Sequence, residues 1–193
     1  MSIDYLLTLL EHYGTYVIFI CLFFGVVGIP APEETLLVFI GILIHQQAIP
    51  GSTTIAAALL GVFCGLIFSY IVGRYAGAPV FYKVTRLMKL KDEKVQDFLE
   101  KYEKNYKKAL IIGLFIPGAR QVNPYFAGIS RIPVAPYIWL SIAGTFIWVV
   151  PFTLLGYLTA NIIDIPYQFL PLIGIGIGAI FILYFWLKRK RGN

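Results

Sequence analysis

The sequence predicts an all-α integral membrane protein, one polytopic domain over residues 1–193, and three observations support this. First, 59% of the residues are hydrophobic, only 13% are charged and the mean hydropathy is +0.78, whereas soluble domains average about 25% charged residues. Second, several windows of roughly 20 apolar residues are each long enough to cross a hydrocarbon core of about 30 Å. Third, prolines and charges interrupt two apolar segments, which indicates helices that enter the membrane and turn back.

The first interrupted segment occupies about residues 15–49. Its two apolar halves are separated by Pro30-Ala-Pro32-Glu33-Glu34. A break with two prolines and two acids cannot lie in lipid as continuous helix. We therefore interpret this segment as a re-entrant hairpin.

A full span and then a charged segment follow. Residues 53–77 are apolar and carry spaced glycines, which allow close packing of helices. Residues 83–108 hold nine basic and five acidic residues, with apolar residues at helical spacing. We expect an amphipathic helix on the cytoplasmic membrane surface. The alternative is a basic loop that only fixes the orientation of the chain.

The second interrupted segment covers about residues 109–129. Pro117-Gly118 breaks it once, and Asn123-Pro124 is expected to break it again. Two ordinary spans complete the predicted set, at residues 137–160 and 168–187.

The distribution of basic residues predicts the orientation. All sixteen Lys and Arg lie at or after Arg74, and cytoplasmic loops carry the excess of such residues. The basic run at 188–191 therefore places the C-terminus in the cytoplasm, on the same side as residues 83–108. The N-terminal part lacks the basic region of a signal peptide, and whether residues 5–20 cross the membrane stays open. Because the charge follows topology, we expect no nucleic-acid partner.

The two interrupted segments align as an internal repeat. The matched spacings are Pro30 to Gly41 and Pro117 to Gly128, eleven positions each, and Gly61 to Gly73 and Gly144 to Gly156, twelve positions each. In this alignment Glu33 falls opposite Arg120. Only one full span separates the two segments, so they enter from opposite faces. The sequence thus predicts an inverted repeat with two facing re-entrant hairpins, about three full transmembrane helices and a site near the midplane.

Charges in or near the membrane are the candidate functional residues. A charge at the bilayer centre costs about 2.5–3.5 kcal/mol, so Glu33, Glu34 and Arg120 should pair or line a wet cavity. Alternatively, the breaks lie near the surface and the charges are solvated. The guanidinium of Arg120 suits a phosphate, and a glutamate in a site of low dielectric can exchange a proton during transport. Gln121 and Asn123 are further candidates for holding a head group.

Other features carry weaker predictions. Arg74 is either a head-group ligand or an interfacial anchor. The glycines of 173–179 suit packing against another helix, of this chain or of a second copy. The sequence contains no His-Glu-x-x-His, no paired-aspartate metal motif and no Gly-x-Ser-x-Gly. We therefore expect no enzyme activity, no metal and no cofactor.

Three motifs in order resemble the DedA family of bacterial inner-membrane proteins, also described by its SNARE-associated or VTT domain. They are GIPAPEETLL from Gly28, YIVGRYAG from Tyr70 and FIPGAR from Phe115 followed by Ala127-Gly128. The resemblance covers about residues 20–160. It implies facing re-entrant hairpins, a multi-pass protein of the bacterial cytoplasmic membrane, and proton-linked movement of lipids such as undecaprenyl phosphate or phosphatidylethanolamine. Glu34 and Arg120 match the acid and the arginine that the family requires.

Three positions depart from the family pattern. Gly25, Leu66 and Leu114 stand where many members carry charged residues. The leading hypothesis is a translocase for a lipid with a phosphate head group, foremost undecaprenyl phosphate. The alternatives are a phosphatidylethanolamine translocase, a proton-coupled antiporter for a small solute, and a scaffold without transport.

Overall fold

The computed structural model describes residues 3–29, 32–77, 92–116 and 119–160. These residues form, in chain order, α1 (Ile3–Val27), α2 (Glu33–His45), α3 (Gly51–Val72), a π turn (Gly73–Gly77), α4 (Asp92–Phe115), α5 (Ala119–Ile129) and α6 (Val134–Thr159). No strand occurs in these ranges, so the all-α prediction is confirmed for them. Several predicted features lie outside the described residues: Pro30, Pro117, Gly118, residues 83–91 of the amphipathic helix, and the span 168–187.

Two of the helices are long and apolar enough to cross a membrane. They are Gly51–Gly77, with 27 residues, and Val134–Thr159, with 26 residues. At 1.5 Å per residue each extends about 40 Å, which exceeds a hydrocarbon core of about 30 Å. The predicted spans 53–77 and 137–160 fall on these two helices. A shorter apolar helical stretch, Tyr13–Val27, precedes the first break.

Helix α4 joins two segments that the sequence analysis separates. It runs without interruption from Asp92 to Phe115, so the predicted division after residue 108 falls inside one helix. The residues that follow this point, ALIIGLF, include good helix formers and no proline. The charged first part and the apolar last part of α4 are therefore continuous.

The expected second break at Asn123-Pro124 is wrong. Pro124 lies inside α5, as its sixth residue. There the proline ring removes one hydrogen bond, the one that the carbonyl of Arg120 would otherwise accept. Such losses are tolerated where neighbouring helices satisfy the backbone, and α5 continues for another turn to Ile129.

Helices α2 and α5 end with the same chain reversal. In each, the N–H of the third residue after the helix donates to a carbonyl five residues earlier, as in a Schellman motif. These bonds run from Ala48 N to Leu43 O (3.0 Å) and from Ile132 N to Ala127 O (3.1 Å). The residue at the reversal is left-handed in both, Gln47 with φ 57° and Arg131 with φ 54°. Neither is a glycine, so each carries conformational strain.

The described residues divide into two compact units. One combines residues 3–18, 32–56 and 151–160, and the other combines residues 19–29 with the described part of 57–150. In the first unit, α2 packs on the end of α6. A Cβ atom added at Gly41 would overlap the carbonyl of Thr153, and one at Gly156 would overlap the carbonyl of Val38.

In the second unit, α5 packs on the end of α3 through the corresponding residues. A Cβ atom at Gly128 would overlap the carbonyl of Tyr70, and one at Gly73 would overlap the carbonyl of Tyr125. The short-helix residues of the two units correspond at an offset of 87 positions, Gly41 to Gly128 and Val38 to Tyr125. The long-helix residues correspond at an offset of 83 positions, Gly73 to Gly156 and Tyr70 to Thr153. Each unit therefore holds a short helix against a long one by the same backbone contacts.

The core of the second unit combines apolar and aromatic side chains. Tyr70 and Tyr137 stack with ring centroids 4.2 Å apart, and the hydroxyl of Tyr137 donates to the carbonyl of Leu66 at 2.8 Å. The buried cluster around them also contains Tyr102, Leu110, Ala127 and Ile132. This core fixes α5 between α3 and α4.

Candidate functional site

The two acids of the first break open helix α2. Glu33 is its first residue and is 0% exposed, and Glu34 is half-buried. Pro32 precedes them and provides no side-chain cap. Negative charge in the first turn is stabilised by the exposed N–H groups of the helix. A carboxylate is thus placed inside the first unit, at the start of a short helix.

The basic residue of the second break holds the matching place in helix α5. Arg120 is the second residue of α5 and is 4% exposed. Its guanidinium carbon lies 4.3 Å from the ring centroid of Trp148, which is fully buried in α6. A cation at a helix N-terminus is disfavoured by the helix dipole. The indole face offsets this, because a desolvated cation–π contact contributes about 2 kcal/mol.

Trp148 was not among the residues that the sequence analysis selected. Tryptophans of membrane proteins concentrate at the two interfaces, whereas Trp148 is near the middle of the 26-residue helix α6. A tryptophan near the middle of an apolar span, away from both interfaces, is the sequence feature that could have identified Trp148. The platform beneath Arg120 is therefore aromatic and apolar.

Side chains of α5 cap the end of α1, directly before the first break. The amide of Gln121 donates to the carbonyl of Gly25 at 3.4 Å, and the hydroxyl of Tyr125 donates to the carbonyl of Val27 at 2.6 Å. The last four carbonyls of a helix lack intrahelical partners. The second interrupted segment therefore stabilises the rim of the first break. Tyr125, like Trp148, was not predicted.

The nitrogen and the oxygen of the Asn123 side-chain amide both form hydrogen bonds within the protein. Its nitrogen donates to the carbonyl of Ala109 at 2.6 Å, and its oxygen accepts from the hydroxyl of Tyr102 at 2.5 Å. Gly113 leaves room for this amide, since an added Cβ would overlap its nitrogen. These contacts join α5 to α4, so Asn123 serves the hairpin itself.

Arg74 lies in the π turn at the end of α3. Its guanidinium donates to the hydroxyl of Tyr70 at 2.5 Å and to the carbonyl of Ile132 at 3.2 Å. Tyr70 itself donates to the same carbonyl at 2.6 Å. Single π turns inside helices occur frequently at functional sites. Here the turn fastens α3 to the chain reversal that follows α5.

Comparison with known proteins identifies the family. The model of the VTT domain matches residues 29–158, which is 130 of the 193 residues and includes both breaks. The chain belongs to the VTT-domain family. This confirms the DedA resemblance. Together with the two apolar helices, it makes the chain a membrane protein.

Several VTT-domain relatives are similar over most of the chain. Membrane protein YbfM of Bacillus subtilis is 34% identical over 149 residues, which cover 77% of this chain and 91% of the relative. Inner membrane protein YqjA of Escherichia coli is 28% identical over 190 residues, 92% of this chain and 86% of the relative. Undecaprenyl phosphate transporter A of B. subtilis is 28% identical over 126 residues, 65% of this chain and 63% of the relative. No solved structure matches the chain.

The three positions that depart from the DedA pattern all lie in the second unit and serve its packing. The backbone of Gly25 accepts the hydrogen bond from Gln121, and Leu66 is 3% exposed. Leu114 is 6% exposed and reaches toward Gly144, where an added Cβ would lie 2.5 Å from its methyl group. Hydrocarbon and backbone therefore occupy the positions where the DedA resemblance leads us to expect charge.

The described residues contain no group of three or more His, Cys, Asp and Glu side chains placed to hold a metal ion. A buried carboxylate and a buried guanidinium begin the two short helices. A buried guanidinium is suited to an anion, and a buried carboxyl group is suited to proton exchange.

Proposed function

We propose that this DedA-family protein translocates a lipid with a phosphate head group across the membrane, with undecaprenyl phosphate as the leading substrate. The observation that carries the proposal is the buried Arg120, 4% exposed, on the face of Trp148. A guanidinium bonded to a carboxylate or a phosphate is among the strongest charge-assisted contacts. A transporter of undecaprenyl phosphate among the relatives supports the same substrate class.

In this proposal Arg120 binds the phosphate, and Glu33 or Glu34 carries a proton or controls release of the head group. The two acids lie in the first turn of α2 and the arginine lies in the first turn of α5, and the N-terminus of a helix favours an anion. The hydrocarbon tail stays in the lipid while the head group crosses.

We further propose that the two interrupted segments are re-entrant halves of an inverted repeat, with the C-terminus in the cytoplasm. Support comes from the glycine contacts, which recur at offsets of 87 and 83 positions, and from the shared chain reversal after α2 and α5. Repeats of this kind place the substrate near the midplane in many transporters.

The experiment is a lipid-movement assay in proteoliposomes. It compares the wild type with Arg120→Ala and Glu34→Gln, using labelled undecaprenyl phosphate and labelled phosphatidylethanolamine in separate reactions. We expect each substitution to lower the rate by at least about tenfold, since loss of one charge-assisted contact costs about 1.5–3 kcal/mol. Lys104→Gln is the matched control, because Lys104 is exposed and pairs only loosely with Glu100, at 4.0 Å.

The outcomes separate the hypotheses. Equal rates in wild type and Arg120→Ala, with both proteins folded, would overturn the role of Arg120. Proton flux driven by a soluble solute, without lipid movement, would favour the antiporter. Reduced thermal stability of the variants, without any transport by the wild type, would favour the scaffold.

One observation favours the second substrate, phosphatidylethanolamine. Leu114 stands where many members carry another arginine, and it is buried against Gly144. A site with one cation fewer suits a head group of lower net charge. Competition between the two labelled lipids in the same assay decides which head group is preferred.

A further inference from the structure

Helices α4 and α5 line an open groove of about 340 Å³, and this groove lies within the second unit. Its volume is at the lower end of the range for small-molecule sites, about 300–1,000 Å³. The residues that line it are Tyr102, Asn105, Lys108, Ala109, Ile112, Gly113, Ile116, Ala119, Val122, Asn123 and Phe126. It is separate from the platform of Trp148 that holds Arg120.

The surface inside the groove is almost entirely apolar, and an exposed lysine stands at one end of it. Asn105 and Lys108, both exposed, lie at the end nearer the start of α4. Beyond Lys108 the lining is hydrocarbon apart from Asn123, and large apolar side chains are exposed: Ile112 is 56% exposed, Ile116 49% and Val122 48%. A lining of this kind matches an amphiphile with a negative head and an apolar chain.

Its position along the chain also matches the depth of a membrane leaflet. Lys108 is the last charge before a run of eleven uncharged residues that ends at Arg120. From Asn105 to Ile116 the helix rises about 16 Å, roughly half of a hydrocarbon core of about 30 Å. Lys108 therefore stands where α4 passes from its charged part into its apolar part.

We propose that this groove binds one anionic glycerophospholipid, with the phosphate at the ammonium of Lys108 and one acyl chain along Ile112 and Ile116. The ammonium of Lys108 supplies charge complementarity, whereas the amide nitrogen of Asn105 donates to the carbonyl of Lys101 at 3.1 Å. The apolar chain covers the exposed hydrocarbon of both helices. This site goes beyond the proposed translocation, because it needs neither Arg120 nor the glutamates.

The test is lipid retention on the full-length protein in detergent, measured by native mass spectrometry with phosphatidylglycerol or phosphatidylethanolamine added. We expect the wild type to retain one phosphatidylglycerol in preference to phosphatidylethanolamine. Lys108→Gln should weaken phosphatidylglycerol about fivefold, the factor that corresponds to about 1 kcal/mol for one lysine near the membrane surface. Ile112→Trp should fill the groove and lower retention of both lipids.

The matched control is Lys107→Gln, which removes an exposed lysine one position away that does not line the groove. It should leave phosphatidylglycerol retention unchanged. Equal losses in Lys107→Gln and Lys108→Gln would show a general charge effect and overturn the site, as would equal retention of the two lipids by the wild type. Because the readout is binding, failure here leaves the translocation assay unaffected, and the reverse also holds.

Discussion

At the scale of single residues, buried polar groups are held by specific partners that the sequence does not reveal. Burial of Arg120 follows from its place in an apolar segment, and the sequence predicted its importance. Its contact with Trp148 depends on how α5 and α6 meet, which no spacing along the chain encodes. In the same way the sequence predicts Asn123 as a substrate ligand, whereas in the structure its side-chain amide is hydrogen-bonded to Tyr102 and Ala109.

Tyr102→Phe should destabilise the hairpin of α4 and α5 by about 1–3 kcal/mol, the cost of a buried polar atom that loses its donor. The hydroxyl donates to the side-chain oxygen of Asn123 at 2.5 Å and to its backbone carbonyl at 3.0 Å. Thermal unfolding in detergent measures the change. Tyr75→Phe is the control, because Tyr75 is 80% exposed, and a loss as large in this variant would contradict the assignment.

The same variant tests a pH effect. Burial raises the pKa of Tyr102 above its ordinary value of 10.0, so the folded state holds this proton more tightly than the unfolded state. Its contribution to stability is therefore complete below about pH 10 and is lost as the pH rises toward the folded-state pKa. The stability difference between wild type and Tyr102→Phe should narrow in that alkaline range.

At the scale of elements, helix ends were only partly predictable. Prolines and charges identified both breaks, since these residues cannot continue a helix in lipid. The left-handed reversals after α2 and α5 were missed, because Gln47 and Arg131 occupy positions where glycine is the usual signal. The expectation for Pro124 failed because one missing N–H does not end a helix whose neighbours support it.

Gln47→Gly should raise stability by about 1 kcal/mol, because glycine adopts the left-handed conformation without the penalty of a Cβ atom. Chemical or thermal unfolding in detergent measures the gain. The opposite exchange is Gly28→Ala, at φ 138° with no atom within 4 Å of an added Cβ. It should destabilise through backbone conformation alone. If both substitutions changed the free energy of unfolding in the same direction, the backbone strain would lie elsewhere.

At the scale of the whole molecule, the inverted repeat stays a prediction, and the glycine contacts within the two units are the feature that agrees with it. Each unit holds a short helix against a long one through two glycines and backbone carbonyls. Spacing alone could suggest this but not establish it, because glycine is frequent in this chain, at 18 of 193 residues. The orientation of the spans in the membrane remains a prediction.

Gly41→Ala and Gly128→Ala should destabilise the protein to a similar extent, about 3 kcal/mol or more, because both place a methyl group against backbone that cannot yield. Gly51→Ala is the matched control, since its methyl would meet a side-chain methyl of Ile44 at 2.9 Å and no backbone atom within 4 Å. Thermal unfolding of the three variants makes the comparison. If Gly41→Ala behaved like Gly51→Ala, the contact between α2 and α6 would be looser than described.

The lengths of the short helices have a consequence for hydrophobic mismatch. Helices α2 and α5 contain 13 and 11 residues, about 20 and 17 Å, and neither alone spans a core of about 30 Å. The chain reversals at their ends fix these lengths, so they cannot adapt to a thicker bilayer. Long helices adapt by tilting, and α3 and α6 are the long helices to which α5 and α2 are fixed by glycine contacts. A change in lipid chain length would therefore change the tilt of the long helices. That tilt would move the short helices and the charged residues at their starts.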